Sequence, residues 1–157
     1  MLELGCWPGG WLQILARAVG PEGHVLGVDL RSVDPLDAPV ETLELDFTTP
    51  EALETLRDAL PRTPVAVLSD AAPKKTGIVD LDRGAEEELY ESALYLAENL
   101  LETGAGLFVM KGFPGPGADA TRRLLRERFA RVSEVRPEGK RQTSKEFYWL
   151  GSGLRAG

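Results

Sequence analysis

The sequence predicts an α/β fold: a Rossmann-like sheet, mostly parallel, with an antiparallel strand at one edge and helices on both faces. Three observations carry this. Apolar runs of strand length alternate with helical patterns along all 157 residues, which form a single domain, 1–157. The first run, Leu2–Leu4, opens into the glycine-rich turn Gly5-Cys6-Trp7-Pro8-Gly9-Gly10 and then a helix. The last two runs have no helical crossover between them, so they pair antiparallel.

The elements follow in order. A helix over Trp11–Val19 is stopped by Gly20-Pro21, and Val25–Leu30 reads as a buried strand. Val40–Leu45 is the next strand; Thr49-Pro50-Glu51 then caps a helix over Glu51–Leu60, with proline in its first turn. Val65–Ser69 is nearly all apolar, as a central strand of a parallel sheet is. Asp82 is a candidate cap for a long helix over Gly84–Leu101, in which Leu89, Ala93, Leu96, Ala97 and Leu100 share a face. Gly104 ends it. Leu107–Met110 is a strand, Ala118–Phe129 a helix, and Val132–Arg136 and Glu146–Leu150 the final strands.

Composition narrows the function. No apolar run reaches membrane-spanning length and no charged-then-apolar leader opens the chain, so a cytoplasmic protein is expected. A single cysteine, Cys6, excludes an internal disulfide, and with a single histidine, His24, no His/Cys zinc site is expected. The net charge of −7 argues against a polyanionic partner until its distribution is read. Residues 1–110 carry a net −13 and residues 111–157 a net +6. Such asymmetry points to a polyanion-facing surface in the C-terminal part, although Arg122, Arg123, Arg126 and Arg128 read equally as the solvated face of a helix.

Ligands of parallel sheets sit at the carboxyl ends of the strands. That rule selects Gly5–Gly9, Asp29, Asp46, Asp70 and Lys111, each at the end of a different strand. Glycines in the turn permit positive φ and close approach of a ligand, and the N–H groups opening the helix favour an anionic group. Asp29 stands where nucleoside-binding folds hold ribose hydroxyls, or else is a loop carboxylate. Asp46 and Phe47 offer an acceptor for an adenine amine beside a stacking ring, or else a capping aspartate beside a core phenylalanine. The turn lacks the G-x-G-x-x-G spacing of dinucleotide binders, which favours S-adenosylmethionine.

Taken together, Gly5-Cys6-Trp7-Pro8-Gly9-Gly10-Trp11, Val28-Asp29-Leu30, Asp46-Phe47, Ser69-Asp70-Ala71-Ala72-Pro73, Val109-Met110-Lys111 and Ser144-Lys145-Glu146-Phe147-Tyr148 resemble, in order, the sequence blocks of the FtsJ (RrmJ) family. That family comprises S-adenosylmethionine-dependent RNA 2′-O-methyltransferases, and the likeness is to the bacterial type acting on 23S ribosomal RNA. The resemblance implies that Gly5, Gly9 and Trp11 belong to the cofactor turn, that Asp29 holds the ribose, and that Asp46 with Phe47 holds the adenine. It places Asp70 at the junction of cofactor and substrate, makes Lys111 the catalytic lysine and Glu146 its acidic partner. The chemistry agrees: methyl transfer from a sulfonium is an in-line displacement that needs alignment and a base for the 2′-hydroxyl, and a lysine serves as base only as a neutral amine. RNA is then expected to touch Lys74, Lys75, Arg122, Arg123, Lys140, Arg141 and Lys145, with no metal, no membrane and a monomeric protein.

The chain departs from the family in places. Glu3 stands where the family has aspartate, and Cys6-Trp7 replace two small residues. The family's helix before the glycine turn, with a further lysine of a K-D-K-E tetrad, has no counterpart in these residues. A nearby like charge helps lower a lysine's pKa. The expectation is therefore a protein that binds the cofactor and methylates slowly, unless Lys74, Lys75 or a segment upstream of these residues supplies the cation, and the alternative is a non-catalytic cofactor- or RNA-binding module. A small-molecule methyltransferase fits the acidity but leaves Lys111 and Glu146 unexplained; a nicotinamide-dependent oxidoreductase fits only the fold and Asp29.

Overall fold

A computed structural model describes residues 1–37, 39–74, 76–112, 114–115, 117–137 and 146–156. Lys75, Lys140, Arg141 and Lys145 of the expected RNA contacts therefore lie outside the described residues. The chain runs β1 (Leu2–Leu4), α1 (Gly10–Val19), β2 (Val25–Asp29), β3 (Val40–Glu44), α2 (Ala52–Ala59), β4 (Ala66–Ser69), α3 (Val79–Leu100), β5 (Leu107–Gly112), α4 (Ala118–Arg128), β6 (Phe129–Val135) and β7 (Phe147–Leu154). These form one seven-stranded sheet in the order β3-β2-β1-β4-β5-β7-β6. β7 runs antiparallel to β5 on one side and to β6 on the other, so the reversed strand lies just inside the edge and β6 closes it.

The strands at the centre are apolar because both faces are covered. Leu2, Leu4, Val28 and Val67 are fully buried, and they share one core with Leu56 of α2, Leu96 and Ala97 of α3 and Leu125 of α4. Phe108 and Phe129 stack in that core at 5.8 Å between centroids. A smaller cluster, Cys6, Leu12, Leu15 and Val25, holds α1 against the opposite face.

Two boundaries differ from the sequence expectation in ways that bear on the site. β5 continues through Lys111 to Gly112 because β7 pairs with it there, Lys111 opposite Tyr148 and Gly112 opposite Phe147. α3 starts at Val79, five residues earlier than its pattern indicates. Asp82 is thus inside the helix and caps the preceding loop instead: its carboxylate accepts from the Thr76 N–H at 2.6 Å, the Thr76 hydroxyl at 2.8 Å and the Gly77 N–H at 3.2 Å.

Register explains where the strand ends deliver their side chains. Glu3 lies opposite Gly27 and Leu68, and Leu68 opposite Val109. Side chains alternate along a strand, so two residues further on the same face receives Asp29, Gly5, Asp70 and Lys111 from four neighbouring strands. Tyr148 joins them opposite Lys111. The face is that of α1, since Leu12 and Cys6 pack over Gly27 and Trp11 packs on Tyr148.

Candidate active site

At the centre of this row, Lys111 and Asp70 form an ion pair. Lys111 Nζ lies 3.1 Å from Asp70 Oδ1 and also donates to the Asp70 backbone carbonyl at 3.1 Å. The lysine side chain is only 12% exposed, against 29% for the aspartate, so the ammonium is held between strands rather than extended into solvent. Asp70 is itself fixed, its N–H donating to the Leu4 carbonyl at 3.1 Å as the ladder runs past the end of β4.

Tyr148 completes the group, a contribution that the sequence reading quoted in a motif but did not assign. Its hydroxyl donates to Asp70 Oδ1 at 3.0 Å. Burial pushes the phenol pKa above its ordinary value; the Asp70 charge, the hydrogen bond to it and the Glu146 charge add to the rise. Tyr148 therefore stays a donor throughout the neutral range. Its ring meets Trp11 at 5.3 Å, tilted 43°, which ties the first turn of α1 to the lysine end of the sheet. The period-two alternation of β7 puts Tyr148 on the Lys111 face, and this was the signal available in the sequence. Glu146 sits immediately before β7, close enough for its charge to act on Tyr148.

The glycine turn closes the other end of the row. Gly5 has φ +79°, and a Cβ there would come within 2.6 Å of Ala71 Cα, so only glycine lets the turn lie against the loop that follows Asp70. Gly9 has φ +100° and starts α1. Asp29 stitches the turn to its own strand: Oδ2 accepts from the Trp7 N–H at 3.0 Å and Oδ1 from the Arg31 N–H at 3.1 Å. The Arg31 guanidinium lies 3.6 Å from the Trp7 ring centroid, building a wall beside Asp29. A carboxylate has lone pairs beyond these two bonds, so Asp29 keeps capacity for a further donor such as a ribose hydroxyl.

Asp46 lies just past β3, exposed, with Oδ1 accepting from the Thr48 N–H at 3.0 Å and from its hydroxyl at 2.7 Å. Phe47 is 8% exposed and packs in the main core. Their side chains thus show a capping aspartate beside a core ring, with little of Phe47 left exposed for stacking.

Glu3 distinguishes this site electrostatically. It is 2% exposed on β1, an interior strand of the sheet, its Oε2 has no hydrogen-bond partner, and burial with the charges of Asp70 and Asp29 pushes its pKa up to about 8. Three carboxylates gathered on one face, one of them with a buried oxygen lacking a partner, suit a ligand carrying positive charge. Cys6 is unreactive by comparison: burial, helped by Glu3 and Asp29, pushes its thiol up to about 12. Among the described residues no cluster of His, Cys, Asp and Glu could hold a metal ion, and no helix is long and apolar enough to cross a membrane.

The basic side chains divide. Lys74 is exposed in the loop after Asp70. Arg122 lies on the other face of the sheet from Lys111, its guanidinium 3.2 Å from Glu134 Oε2 and 4.9 Å from the Trp149 ring centroid. Arg123 is exposed on α4.

Comparison with known proteins gives the family. Residues 1–154 match the model of a family described as FtsJ-like methyltransferase. The chain is similar to the ribosomal RNA large subunit methyltransferase E of Stenotrophomonas maltophilia, 42% identical over 99% of this chain and 74% of that protein. To the enzyme of the same name from Anaeromyxobacter dehalogenans it is 43% identical, over 99% of this chain and 58% of that one. Among solved structures, a ribosomal RNA methyltransferase from Plasmodium falciparum superposes with a TM-score of 0.81 at 22% identity, covering 98% of this chain and 85% of its own. Human methyltransferase-like protein 13, in complex with SAH, gives 0.65 at 15% identity, covering 96% and 70%. At these identities the two structures speak for the fold.

Proposed function

Because this chain belongs to the FtsJ-like methyltransferase family, we propose that it transfers a methyl group from S-adenosylmethionine to a ribose 2′-hydroxyl of large-subunit ribosomal RNA, as a monomer in the cytoplasm. The observation that carries this reading is the single row Asp29, Gly5, Asp70, Lys111 and Tyr148 along the carboxyl ends of adjacent strands. It supports a donor site and a base side by side.

The donor supplies an electrophilic methyl on a sulfonium. The glycine turn and Asp29 would hold its nucleoside, with Asp46 near the base, and the carboxylates of Glu3 and Asp70 favour its positive charge. Lys111 faces the acceptor. As a neutral amine, Nζ would take the 2′-hydroxyl proton while the oxygen bonds to the methyl carbon and the methyl–sulfur bond breaks, leaving an ammonium on Lys111 and a neutral thioether as leaving group. Asp70 orients that nitrogen through two contacts and Tyr148 orients Asp70. Most of the rate enhancement then comes from alignment of the in-line displacement.

Incubation with labelled donor and large ribosomal subunits, followed by mapping of ribose methylation, tests the proposal. Methylation lost in Lys111→Ala upholds it. Tight donor and RNA binding without single-turnover methylation would instead make the chain a binding module.

A further inference from the structure

Asp29, Asp70 and Glu3 share one face, yet only two of them are neutralised. Asp29 accepts from two backbone N–H groups, with Arg31 Nε at 3.8 Å. Asp70 is paired with Lys111 and Tyr148. Glu3 sits between them on β1, one pleat repeat below the row, with the side-chain-less Gly27 on one flank and Leu68 on the other. Cys6 and Leu12, which pack over the neighbouring Gly27 on the α1 side, are apolar in character and buried. Oε2 is left without a partner.

We propose that Glu3 is a charge-responsive residue of the donor site. It stays protonated when no cationic ligand is near and gives up its proton when one settles between Asp29 and Asp70, so the site holds a sulfonium more firmly than the neutral thioether left after methyl transfer. The inference rests on the methyl-donor reading above and adds to it a means of favouring donor over product. S-adenosylmethionine and S-adenosylhomocysteine share the amino-acid ammonium and carboxylate and differ in the charge on sulfur. That charge alone separates their effects on a nearby carboxyl group. An opposite charge within a few ångströms favours the ionised acid, and the proton leaves to solvent.

The carboxyl's elevated pKa supports the direction of the linkage. Near pH 7 most of the ligand-free protein carries this proton, so donor binding releases it. Donor affinity therefore climbs with pH up to about 8, at most roughly tenfold per pH unit, because a single proton is exchanged. Asp29, Asp70, Cys6, Lys111 and Tyr148 surround the same space, so the part of the release that belongs to Glu3 is the part lost in Glu3→Gln.

The experiment is titration calorimetry of the full chain with S-adenosylmethionine and with S-adenosylhomocysteine, at pH 7, in phosphate and in Tris. Their different ionisation enthalpies report the protons released. The expected result is a larger proton release with the sulfonium, and loss of the difference in Glu3→Gln. The carboxyl carbon of Glu3 in the wild-type protein should move from its protonated to its ionised resonance on adding the sulfonium alone, a readout that needs no variant. Equal release with both ligands, or an unmoved Glu3 resonance, overturns the proposal while leaving the methyl-donor reading intact. If neither ligand binds, both fall.

Discussion

Lys111 grips Asp70 twice, once through the carboxylate at 3.1 Å and once through the backbone carbonyl at 3.1 Å. Two contacts to one residue fix the direction of the nitrogen as well as its position, which a surface lysine on a flexible stem does not achieve. Replacing Lys111 by methionine keeps the stem and removes the base. The expected outcome is a fall in single-turnover methylation of about 100-fold to 10,000-fold, the usual worth of a positioned general base. Donor affinity measured by calorimetry should hardly change. A rate loss matched by an equal loss of donor binding would point to a structural role.

Tyr148 acts through Asp70 and is a positioning residue. In Tyr148→Phe the ring keeps its contact with Trp11, and Asp70 Oδ1 loses one donor. A hydrogen bond to a charged group contributes about 1.5–3 kcal/mol, less where water can substitute as at this half-buried site. The expected change is a roughly tenfold lower kcat with KM for RNA unchanged, read from steady-state kinetics. An altered KM at constant kcat would assign the hydroxyl to substrate binding.

Much of this site was legible beforehand because it obeys period-two geometry. Strand-end residues of an apolar parallel sheet must emerge at one rim, and the register puts Asp29, Asp70 and Lys111 there as their positions indicate. What sequence could not show were pairings set by tertiary contact. β5 extends through Lys111 because β7 lies beside it, and Asp82 turns from a helix cap into a loop latch because α3 starts at Val79. The surroundings of Glu3 were hidden for the same reason. An acid in a short apolar strand reads as a motif position until the burial of its neighbours is known.

Gly5 is the tightest point of the turn. Gly5→Ala places a methyl 2.6 Å from Ala71 Cα at φ +79°, so steric overlap and left-handed strain act together. The loop bearing Asp70 must move, because the obstruction is backbone. Destabilisation on the order of 2 kcal/mol is expected from urea unfolding, accompanied by weaker donor binding. Gly10→Ala is the control, since a Cβ there meets nothing within 4 Å and alanine favours the helix.

The burial of Glu3 makes stability depend on pH. Its pKa rises from an ordinary 4.5 to about 8 in the folded chain, so the native state binds more protons than the unfolded state between these values. Its contribution is complete below about pH 4.5 and is lost as pH climbs through about 8. Glu3→Gln cannot ionise and should flatten this part of the Tm profile, gaining over wild type at pH 9 relative to pH 5. A parallel pair of Tm profiles across pH 5–9 would show that Glu3 does not carry the linkage.

Neighbouring arginines on α4 should behave oppositely, because one is committed to the fold and the other is exposed. Arg122 bridges Glu134 and the Trp149 ring, so Arg122→Ala loses packing and an ion pair and should lower Tm by a few degrees. Arg123 is exposed, and Arg123→Ala should leave Tm unchanged. Where RNA passes along α4, each phosphate contact contributes about 0.7–0.9 to the slope of log K against log salt. Arg123→Ala should then reduce that slope by about one contact in filter-binding titrations and weaken all RNA sequences alike. Because Arg122 faces away from Lys111 across the sheet, RNA reaching both regions has to pass from one face of the sheet to the other. An unchanged slope in Arg123→Ala would move the path instead to the Lys74 side of the rim.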